Sequence, residues 1–169
     1  MSFKLTILGC GSSAGTPVVG CSCKTCLSIN PKNKRTRCSS LITLDNGKNI
    51  LIDTSPDLRQ QSLRESIRSI DAVLFTHIHA DHCHGIDDLR AFCQINKKQI
   101  PIYGNQEVIE QLNQKFNYAM AKPNGFWEKP VLRPHIIDSS IEIFNTEITP
   151  IPVFHGKSLI NGYRVGNLA

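Results

Sequence analysis

Four of the six histidines of the 169-residue chain fall within eight positions. They lie in the stretch 76–85, whose candidate metal ligands are His77, His79, Asp81 and His82. In an extended segment, residues two apart point the same way, so His77 and His79 can share one metal ion. Asp81 and His82 follow where the chain begins to turn, and they can serve a second ion. Imidazole and carboxylate groups together suit zinc, manganese or iron.

The sequence around this cluster places it where a strand ends and a helix begins. Residues 72–75 are a continuous apolar run, which is typical of a buried strand. Residues 85–92 carry apolar side chains at helical spacing. Such a junction is a usual location for a site in an α/β layer fold. The alternative is a His-rich surface loop that binds metal incidentally, and clustering directly after a buried strand argues against it.

The pattern His-x-His-x-Asp-His after an apolar strand resembles the signature of the metallo-β-lactamase superfamily. The resemblance implies two divalent ions, Zn²⁺ or Mn²⁺, in an active site. It assigns His77 and His79 to the first ion, and Asp81 and His82 to the second. It also implies a third histidine for the first ion downstream, and His155 fits because it ends the strand-like run 148–154.

Other residues take roles from the same resemblance. In the superfamily, an aspartate after an earlier strand supports the metal loop by hydrogen bonding, and Asp53 has that place. The alternative for Asp53 is a helix N-cap, for which Ser55–Pro56 is the better candidate. Asp81 is the candidate catalytic residue, since it would orient the attacking hydroxide and accept its proton. His84 is a candidate to contact and orient the metal ligands without binding the metal itself, or to start a helix.

A second candidate metal site is the loop 20–27. Its three thiols, Cys21, Cys23 and Cys26, favour one structural Zn²⁺, which takes four tetrahedral ligands. Three reduced and unligated thiols are the alternative. The missing ligand is Cys10, Cys38 or His135 if it comes from this chain, and the sequence does not choose among them.

The Cys-x-Cys-x-x-Cys insert, with Gly-Ser-Ser-Ala-Gly-Thr-Pro before it, narrows the resemblance. It is similar to the PhnP-like phosphodiesterases that open phosphoribosyl 1,2-cyclic phosphate. It is less closely similar to the pyrroloquinoline quinone biosynthesis B protein. In both groups the three cysteines hold a structural zinc, so the resemblance implies a structural role for this loop.

Patterns along the rest of the chain predict an α/β fold in one domain, 1–169. Strands are expected at 3–8, 38–45, 48–53, 71–76, 100–103, 131–137, 140–144, 147–154 and 160–166, and helices at 56–68 and 106–118. Two stretches of sheet, each with helices, suit a four-layer αββα sandwich. The segment 122–130 is a candidate loop or lid.

Composition limits the classes of function and partner. The hydrophobic content of 40% is ordinary for a globular protein, no window approaches a membrane span, and the N-terminus is strand-like, so we expect a cytoplasmic protein. Much of the net charge of +5 comes from residues 32–37. This segment is either a solvated loop or a surface that attracts an anionic substrate such as a phosphate ester. The chain has no extended basic stripe or aromatic platform, which argues against nucleic acid as partner.

The resemblance covers the whole chain but only the first part of the family's length. The family places an aspartate that bridges both metals, and a last histidine ligand, beyond this point. After His155 the sequence has no Asp, Glu or His. We therefore expect the C-terminal part of the domain to be missing, and the exposed sheet edge to allow a homodimer.

The function implied is hydrolysis of a small cyclic or nucleotide-like phosphodiester by a hydroxide held on the metal ions. One alternative is an endonuclease that processes transfer-RNA 3′ ends, which shares His-x-His-x-Asp-His but lacks the three-cysteine insert. A thioester hydrolase of the glyoxalase II type also lacks this insert. From a different class, a non-catalytic metal-binding protein like the quinone-biosynthesis relative is the alternative.

Overall fold

The computed structural model describes residues 3–120 and 131–169. The first sheet has six strands in spatial order: β1 (Phe3–Gly9), β2 (Ser39–Leu44), β3 (Asn49–Ile52), β4 (Ala72–Leu74), β5 (Ile100–Gly104) and β6 (Leu132–Ile136). The second sheet contains β7 (Ile141–Ile143), β8 (Thr146–His155) and β9 (Ser158–Val165). The helices are α1 (Leu58–Arg64), α2 (Ala80–Cys83), α3 (Leu89–Asn96), α4 (Gln106–Lys115) and α5 (Asn117–Met120), with 3-10 turns at Pro31–Asn33 and Ile86–Asp88. The candidate lid at 122–130 lies outside the described residues.

The strands of the first sheet run in one direction except for β2. Strand β2 is antiparallel to both β1 and β3, whereas β3, β4, β5 and β6 pair in parallel. The carboxyl ends of the five other strands therefore open onto the same side of the sheet, which we call the carboxyl edge. In open α/β sheets this edge is where ligands bind.

Apolar side chains form two cores, one on each face of the first sheet. Side chains alternate between faces along a strand. Accordingly Leu51 and Val73 pack towards the helices, while their neighbours Ile50 and Leu74 pack towards the second sheet. The helix-side core includes residues of every described α-helix, such as Leu58, Cys83, Leu89, Leu112 and Ala119. The core between the sheets contains residues of strands and loops, such as Ile148 and Val165.

Helices, first sheet and second sheet are three layers of the αββα sandwich that the sequence predicts. In the described part of the chain, all helices that contribute to a core pack on the first sheet. None of the described helices is long and apolar enough to cross a bilayer.

The predicted elements are confirmed with shorter bounds at several ends. The helix expected over 56–68 covers only Leu58–Arg64, and Ser66 follows with a positive φ of 53°. The helix expected over 106–118 is interrupted at Phe116, which has non-helical backbone angles, and continues as α5. Residues after Gly85 begin as a 3-10 turn before α3, and Lys97, with a φ of 51°, follows the last residue of α3. Left-handed residues such as these stop a helix because they turn its backbone away.

Candidate metal centre

The structure brings His77, His79 and His155 together at the carboxyl edge. His77 and His79 lie between β4 and α2, and His155 ends β8 in the second sheet. The Nε2 atom of His77 is 3.1 Å from Nδ1 of His79. The ring of His155 is centred 5.3 Å from that of His77 and 5.2 Å from that of His79. One donor atom from each residue lies within 4.8 Å of the others, a spacing that suits one ion bound by three nitrogens.

Electrostatics keep His77 in the form that binds metal. His77 as a whole residue is only 8% exposed, whereas His79 and His155 are exposed. Burial, together with the neighbouring His82, His79 and His155, lowers the pKa of His77 to about 4. A neutral imidazole keeps a lone pair free, as metal binding requires.

Asp53 joins this histidine group to His82. Its Oδ1 atom accepts a hydrogen bond from Thr76 N, and Oδ2 accepts from Thr76 Oγ1, both at 2.8 Å. Oδ2 also accepts from His82 Nδ1 at 2.7 Å. Asp53 is 2% exposed and has a φ of 58°. Aspartate adopts this left-handed conformation more readily than most residues, and here it aims the carboxylate back at the metal loop.

These hydrogen bonds determine which ring nitrogens remain available. The Thr76 hydroxyl donates to Asp53, so it accepts from Nδ1 of His77 at 2.8 Å, and Nε2 of His77 then carries no proton. His82 donates its Nδ1 proton to Asp53 and leaves its own Nε2 free. Burial lowers the pKa of His82, but the hydrogen bond and charge of Asp53 outweigh it and raise that pKa. Such carboxylate–histidine contacts orient metal ligands and increase their basicity.

The free Nε2 of His82 lies 3.3 Å from Oδ2 of Asp81, so these two predicted ligands converge. Their loop is tied to the end of β3, because Thr54 N donates to His82 O at 2.8 Å and Gly85 N donates to Thr54 O at 2.9 Å. Gly85 is needed here, since a Cβ at this position would meet Ser55 O at 1.9 Å. The assignment of Asp81 and His82 to a second ion stays a prediction.

The second sheet also holds the metal loop, through contacts that the sequence did not reveal. The Tyr163 hydroxyl donates to Phe75 O at 2.8 Å, across 88 positions of chain. Asn161 N donates to Thr76 O at 3.1 Å. No local pattern marks these residues of β9, because their role follows from how the two sheets pack.

A cleft of about 90 Å³ opens beside the three histidines. Its polar lining comes from the region of α4 and from the start of β9, namely Asn105, Glu107, Gln111 and Ser158. Asn105 caps α4, since its Oδ1 accepts from Val108 N at 2.8 Å. The cleft can therefore offer hydrogen-bonding groups to a molecule held at the histidines.

The structure does not bring His84 to the ligands. Its exposed ring packs edge-on against Phe116, with centroids 5.9 Å apart. His84 follows the last residue of α2, so it ends a helix and does not start one. The N-cap alternative for Asp53 is also wrong, because Asp57 precedes α1; the Ser55 hydroxyl instead accepts from Asp57 N at 3.0 Å.

The three cysteines of the 20–27 loop form a separate group. The sulfurs of Cys21, Cys23 and Cys26 lie within 4.8 Å of one another. Val18 N donates to Cys26 Sγ at 3.4 Å, and a backbone hydrogen bond from Cys26, with one from the Cys21 side chain, lowers the pKa of Cys23 to about 7. A lowered thiol pKa favours the thiolate that zinc binds.

None of the candidates for a fourth ligand joins the cysteine group. Among the described residues, this group consists of Cys21, Cys23 and Cys26, without Cys10, Cys38 or His135. Cys10 instead lies 3.8 Å from Arg35 Nη1, and His135 stacks on Tyr103 with ring centroids 5.0 Å apart.

Comparison with known proteins agrees with this geometry. Residues 48–168 match the family model described as Beta-lactamase superfamily domain. The chain belongs to this family. The match includes both the cluster after β4 and His155, so the expected superfamily membership is confirmed.

Three relatives locate the chain within the Beta-lactamase superfamily. A crystal structure of a new diphosphatase from the PhnP family superposes with a TM-score of 0.86 at 40% identity, over 98% of this chain and 63% of that one. Zn²⁺-bound PqqB from Methylobacterium extorquens gives a TM-score of 0.71 at 22% identity, over 96% of this chain and 58% of that one, which bears on the fold alone. An octanoyltransferase of Porphyromonas gingivalis is 41% identical over 168 residues, which are 98% of this chain and 34% of that protein.

The predicted resemblance to the PhnP group is confirmed by the first of these structures. The chain spans about a third of the octanoyltransferase and somewhat under two thirds of the diphosphatase.

Proposed function

We propose that the protein containing this chain is a metal-dependent hydrolase that cleaves a small cyclic or nucleotide-like phosphodiester. The observation that carries the proposal is the position of Asp53, which is linked to His77 through Thr76 and to His82 directly. A single buried carboxylate thereby orients a ligand from each of two predicted metal sites. Paired sites of this kind are typical of enzymes that displace groups at phosphorus.

The donor sets fit the ions that the sequence predicts. Three histidine nitrogens, and an adjoining carboxylate and imidazole, suit Zn²⁺ or Mn²⁺, while the cysteine loop suits one structural Zn²⁺. Bound at the histidine site, divalent ions would lower the pKa of water and offset negative charge on phosphoryl oxygens.

The remaining chemistry belongs to side chains of the chain itself. Asp81 would accept a proton from the attacking water at its carboxylate, and its Oδ2 atom, 3.3 Å from Nε2 of His82, supports this role. The cleft offers amide and hydroxyl groups, from Asn105, Gln111 and Ser158, to the group that leaves. Its volume of about 90 Å³ favours a small leaving group over a long polymer.

The similarity to a PhnP-family diphosphatase supports a phosphorus substrate. Diphosphatase activity, like phosphodiester hydrolysis, needs water to attack phosphorus while negative charge is stabilised on its oxygens. The octanoyltransferase name describes a protein of which this chain spans 34%, so that name assigns no activity to the segment.

The proposal is tested by hydrolysis of bis(p-nitrophenyl) phosphate and of cyclic nucleotides. The protein that carries this chain is loaded with Zn²⁺ or Mn²⁺ and compared with its His79→Ala and Asp81→Asn variants. Loss of a metal ligand or a proton acceptor is expected to reduce kcat by roughly 10²-fold or more. His84→Ala is the matched control, because its ring lies against Phe116, and it should keep activity near wild type. Metal binding with no turnover of any phosphodiester would instead favour the non-catalytic reading.

A further inference from the structure

Two exposed thiols, Cys10 and Cys38, lie at the carboxyl edge and outside the cysteine loop. Cys10 follows the last residue of β1, and Cys38 precedes the first residue of β2. The remaining cysteines outside that loop, Cys83 and Cys93, are buried. The proposed hydrolysis uses neither exposed thiol. Because reagents reach exposed thiols more easily than buried ones, Cys10 and Cys38 are where sulfur chemistry outside the loop can take place.

The pairing of β1 with β2 puts these two thiols opposite each other. Gly9 pairs with Ser39 in the antiparallel ladder, and Gly11 forms the next bridge to the same segment. Cys10 and Cys38 therefore face each other between two paired positions. Opposed residues of an antiparallel pair have Cα atoms about 4.5–5.5 Å apart. This lies within the range of roughly 4.4–6.8 Å over which disulfides form. The backbone therefore admits a disulfide between Cys10 and Cys38.

Cys10 lines a basic pocket of about 350 Å³ beside the end of β1. Its Sγ atom accepts a hydrogen bond from Arg35 Nη1 at 3.8 Å. No Asp or Glu is among the described lining residues, whereas four cations are: Lys32, Lys34, Arg35 and Arg64. A concave surface with charges of one sign raises the local concentration of ligands of the opposite sign. The pocket should therefore draw negatively charged reagents to the Cys10 thiol.

Two of these cations have no carboxylate partner within the part of the chain that the structure describes. Lys32 and Lys34 form no ion pair there, whereas Arg64 pairs with Glu65 at 2.8 Å. Arg35 also donates from Nε to Lys32 O at 3.1 Å, which fixes the guanidinium without neutralising it. The charge beside Cys10 is thus available to an incoming anion.

The surroundings of Cys38 make it the second of the two thiols to react. Burial raises the pKa of the Cys38 thiol, and the charges of Asp53, Asp81 and Cys10 raise it further. Cys38 therefore lies within the electrostatic field of both Cys10 and the metal centre. A thiol that holds its proton is a poor first nucleophile. It can still attack a neighbouring disulfide once its proton passes to solvent.

We propose that Cys10 and Cys38 are a thiol–disulfide exchange site for anionic disulfides of low molecular weight. The Cys10 thiolate attacks one sulfur of the reagent, whose S–S bond breaks, and the leaving thiolate takes a proton from solvent. Cys38 then releases its proton and attacks the Cys10 sulfur of this mixed disulfide. The Cys10–Cys38 bond forms as the second thiolate leaves and is protonated. The two cysteines lose two electrons in total, and the reagent is reduced to two thiols.

The first test locates the new bond. The reduced, zinc-loaded protein is incubated with glutathione disulfide and mapped by peptide mass spectrometry. Wild type should form the Cys10–Cys38 disulfide. Cys38→Ser should instead stop at one glutathione on Cys10, and Cys10→Ser should react at Cys38 roughly tenfold more slowly. Cys93→Ser, at a buried position, is the matched control and should form the same bond as wild type.

Other outcomes of this mapping would overturn the proposal. One is a wild-type protein in which glutathione is found only on the cysteines of the 20–27 loop. Another is a Cys38→Ser variant with no glutathione on Cys10, because Cys10 would then not be the attacking thiol. The site does not depend on the proposed hydrolysis, so failure to cleave any phosphodiester leaves both results unaffected.

The second test varies the charge of the reagent. Glutathione disulfide is negatively charged and cystamine is positively charged, so the cations of the pocket should favour the first. At low ionic strength, Lys32→Gln/Lys34→Gln should slow the reaction of Cys10 with glutathione disulfide by roughly tenfold and should not slow that with cystamine. Added salt should reduce this difference between the variant and wild type.

Lys4→Gln/Arg68→Gln is the matched control, because it removes the same charge from exposed positions that do not line the pocket. It should react with glutathione disulfide nearly as fast as wild type. An unchanged rate in Lys32→Gln/Lys34→Gln would overturn the selection of anionic reagents, and so would an equal loss of rate with both disulfides.

Discussion

The Oδ2 atom of Asp53 lies 2.7 Å from Nδ1 of His82, although the two residues are 29 positions apart in the chain. Both are enclosed, with side-chain exposures of 3% for Asp53 and 18% for His82. The contact joins the end of β3 to the loop after β4, and it fixes the nitrogen that His82 presents to the metal centre. Changes at Asp53 should therefore alter metal binding before they alter the fold.

We expect Asp53→Asn to weaken metal binding while the protein stays folded. Asparagine tolerates the left-handed backbone of this position. Its amide NH₂ would face the Nδ1 proton of His82, so the proton must move to Nε2. Nε2 could then no longer bind a metal ion. Loss of such a supporting carboxylate should reduce metal affinity by roughly 10- to 100-fold, measured by competition with a chromogenic chelator. Asp138→Asn, at an exposed position, is the control. Unchanged metal affinity in Asp53→Asn would contradict this role.

Tyr163→Phe should loosen the metal loop from the second sheet. Phenylalanine keeps the ring, but Phe75 O loses the hydrogen bond of 2.8 Å from the hydroxyl. We expect a loss of about 1–2 kcal/mol in the free energy of unfolding, measured by urea denaturation, together with weaker metal binding. Tyr103→Phe is the matched control, since the described residues give its hydroxyl no hydrogen-bond partner. Equal effects of the two substitutions would contradict a role for the hydrogen bond between the Tyr163 hydroxyl and Phe75 O.

Gly85→Ala tests the close approach between the metal loop and the end of β3. An added Cβ would lie 1.9 Å from Ser55 O, which is backbone and cannot move aside freely. Overpacking of this kind should destabilise the protein by about 1–3 kcal/mol or more in thermal or urea unfolding. Gly162→Ala is the control, because its Cβ would lie 3.6 Å from the nearest atom, an ordinary contact. A Gly85→Ala protein as stable as the control would show that the loop is not held against Ser55.

The ion pair between Arg37 and Asp57 gives stability that depends on pH. The guanidinium donates at 2.8 and 2.6 Å, and Arg37 N also donates to Oδ2 at 2.8 Å. The Arg37 hydrogen bond lowers the pKa of Asp57 in the folded state below its unfolded value of about 3.9. The contribution is therefore fully present above about pH 4 and is lost as the pH falls through the lower folded pKa.

Asp57→Asn should accordingly cost about 1–3 kcal/mol near neutral pH. The difference from wild type should shrink as the pH approaches 2, in urea titrations at several pH values. Asp45→Asn, which removes an exposed carboxylate in the β2–β3 turn, is the matched control. A deficit in Asp57→Asn that is constant with pH would contradict the ion-pair explanation.

The sequence was sufficient for the parts of the site that rest on local patterns. The apolar run before His77 predicted β4, and the spacing of His77 and His79 placed two nitrogens together. His84 could not be placed in this way, because the side on which its ring lies depends on how α2 packs against Phe116. The role of Tyr163 depends on contacts between two sheets, and the sequence around it contains no trace of them. The basic segment was recognised by its charge, but the sequence does not reveal the backbone pairing of Thr16 with Arg35 that holds it.

The most direct test of the account is metal content per chain, measured by elemental analysis on wild type and on the His79→Ala and Cys23→Ser variants. Two independent centres are expected, one at the histidines and one at the three cysteines. His79→Ala should lose the ion at the histidine centre and keep the zinc of the cysteine loop, and Cys23→Ser should show the reverse. Wild-type protein without bound metal, or a His79→Ala variant with the full wild-type content, would contradict the assignment of the histidines as a metal centre.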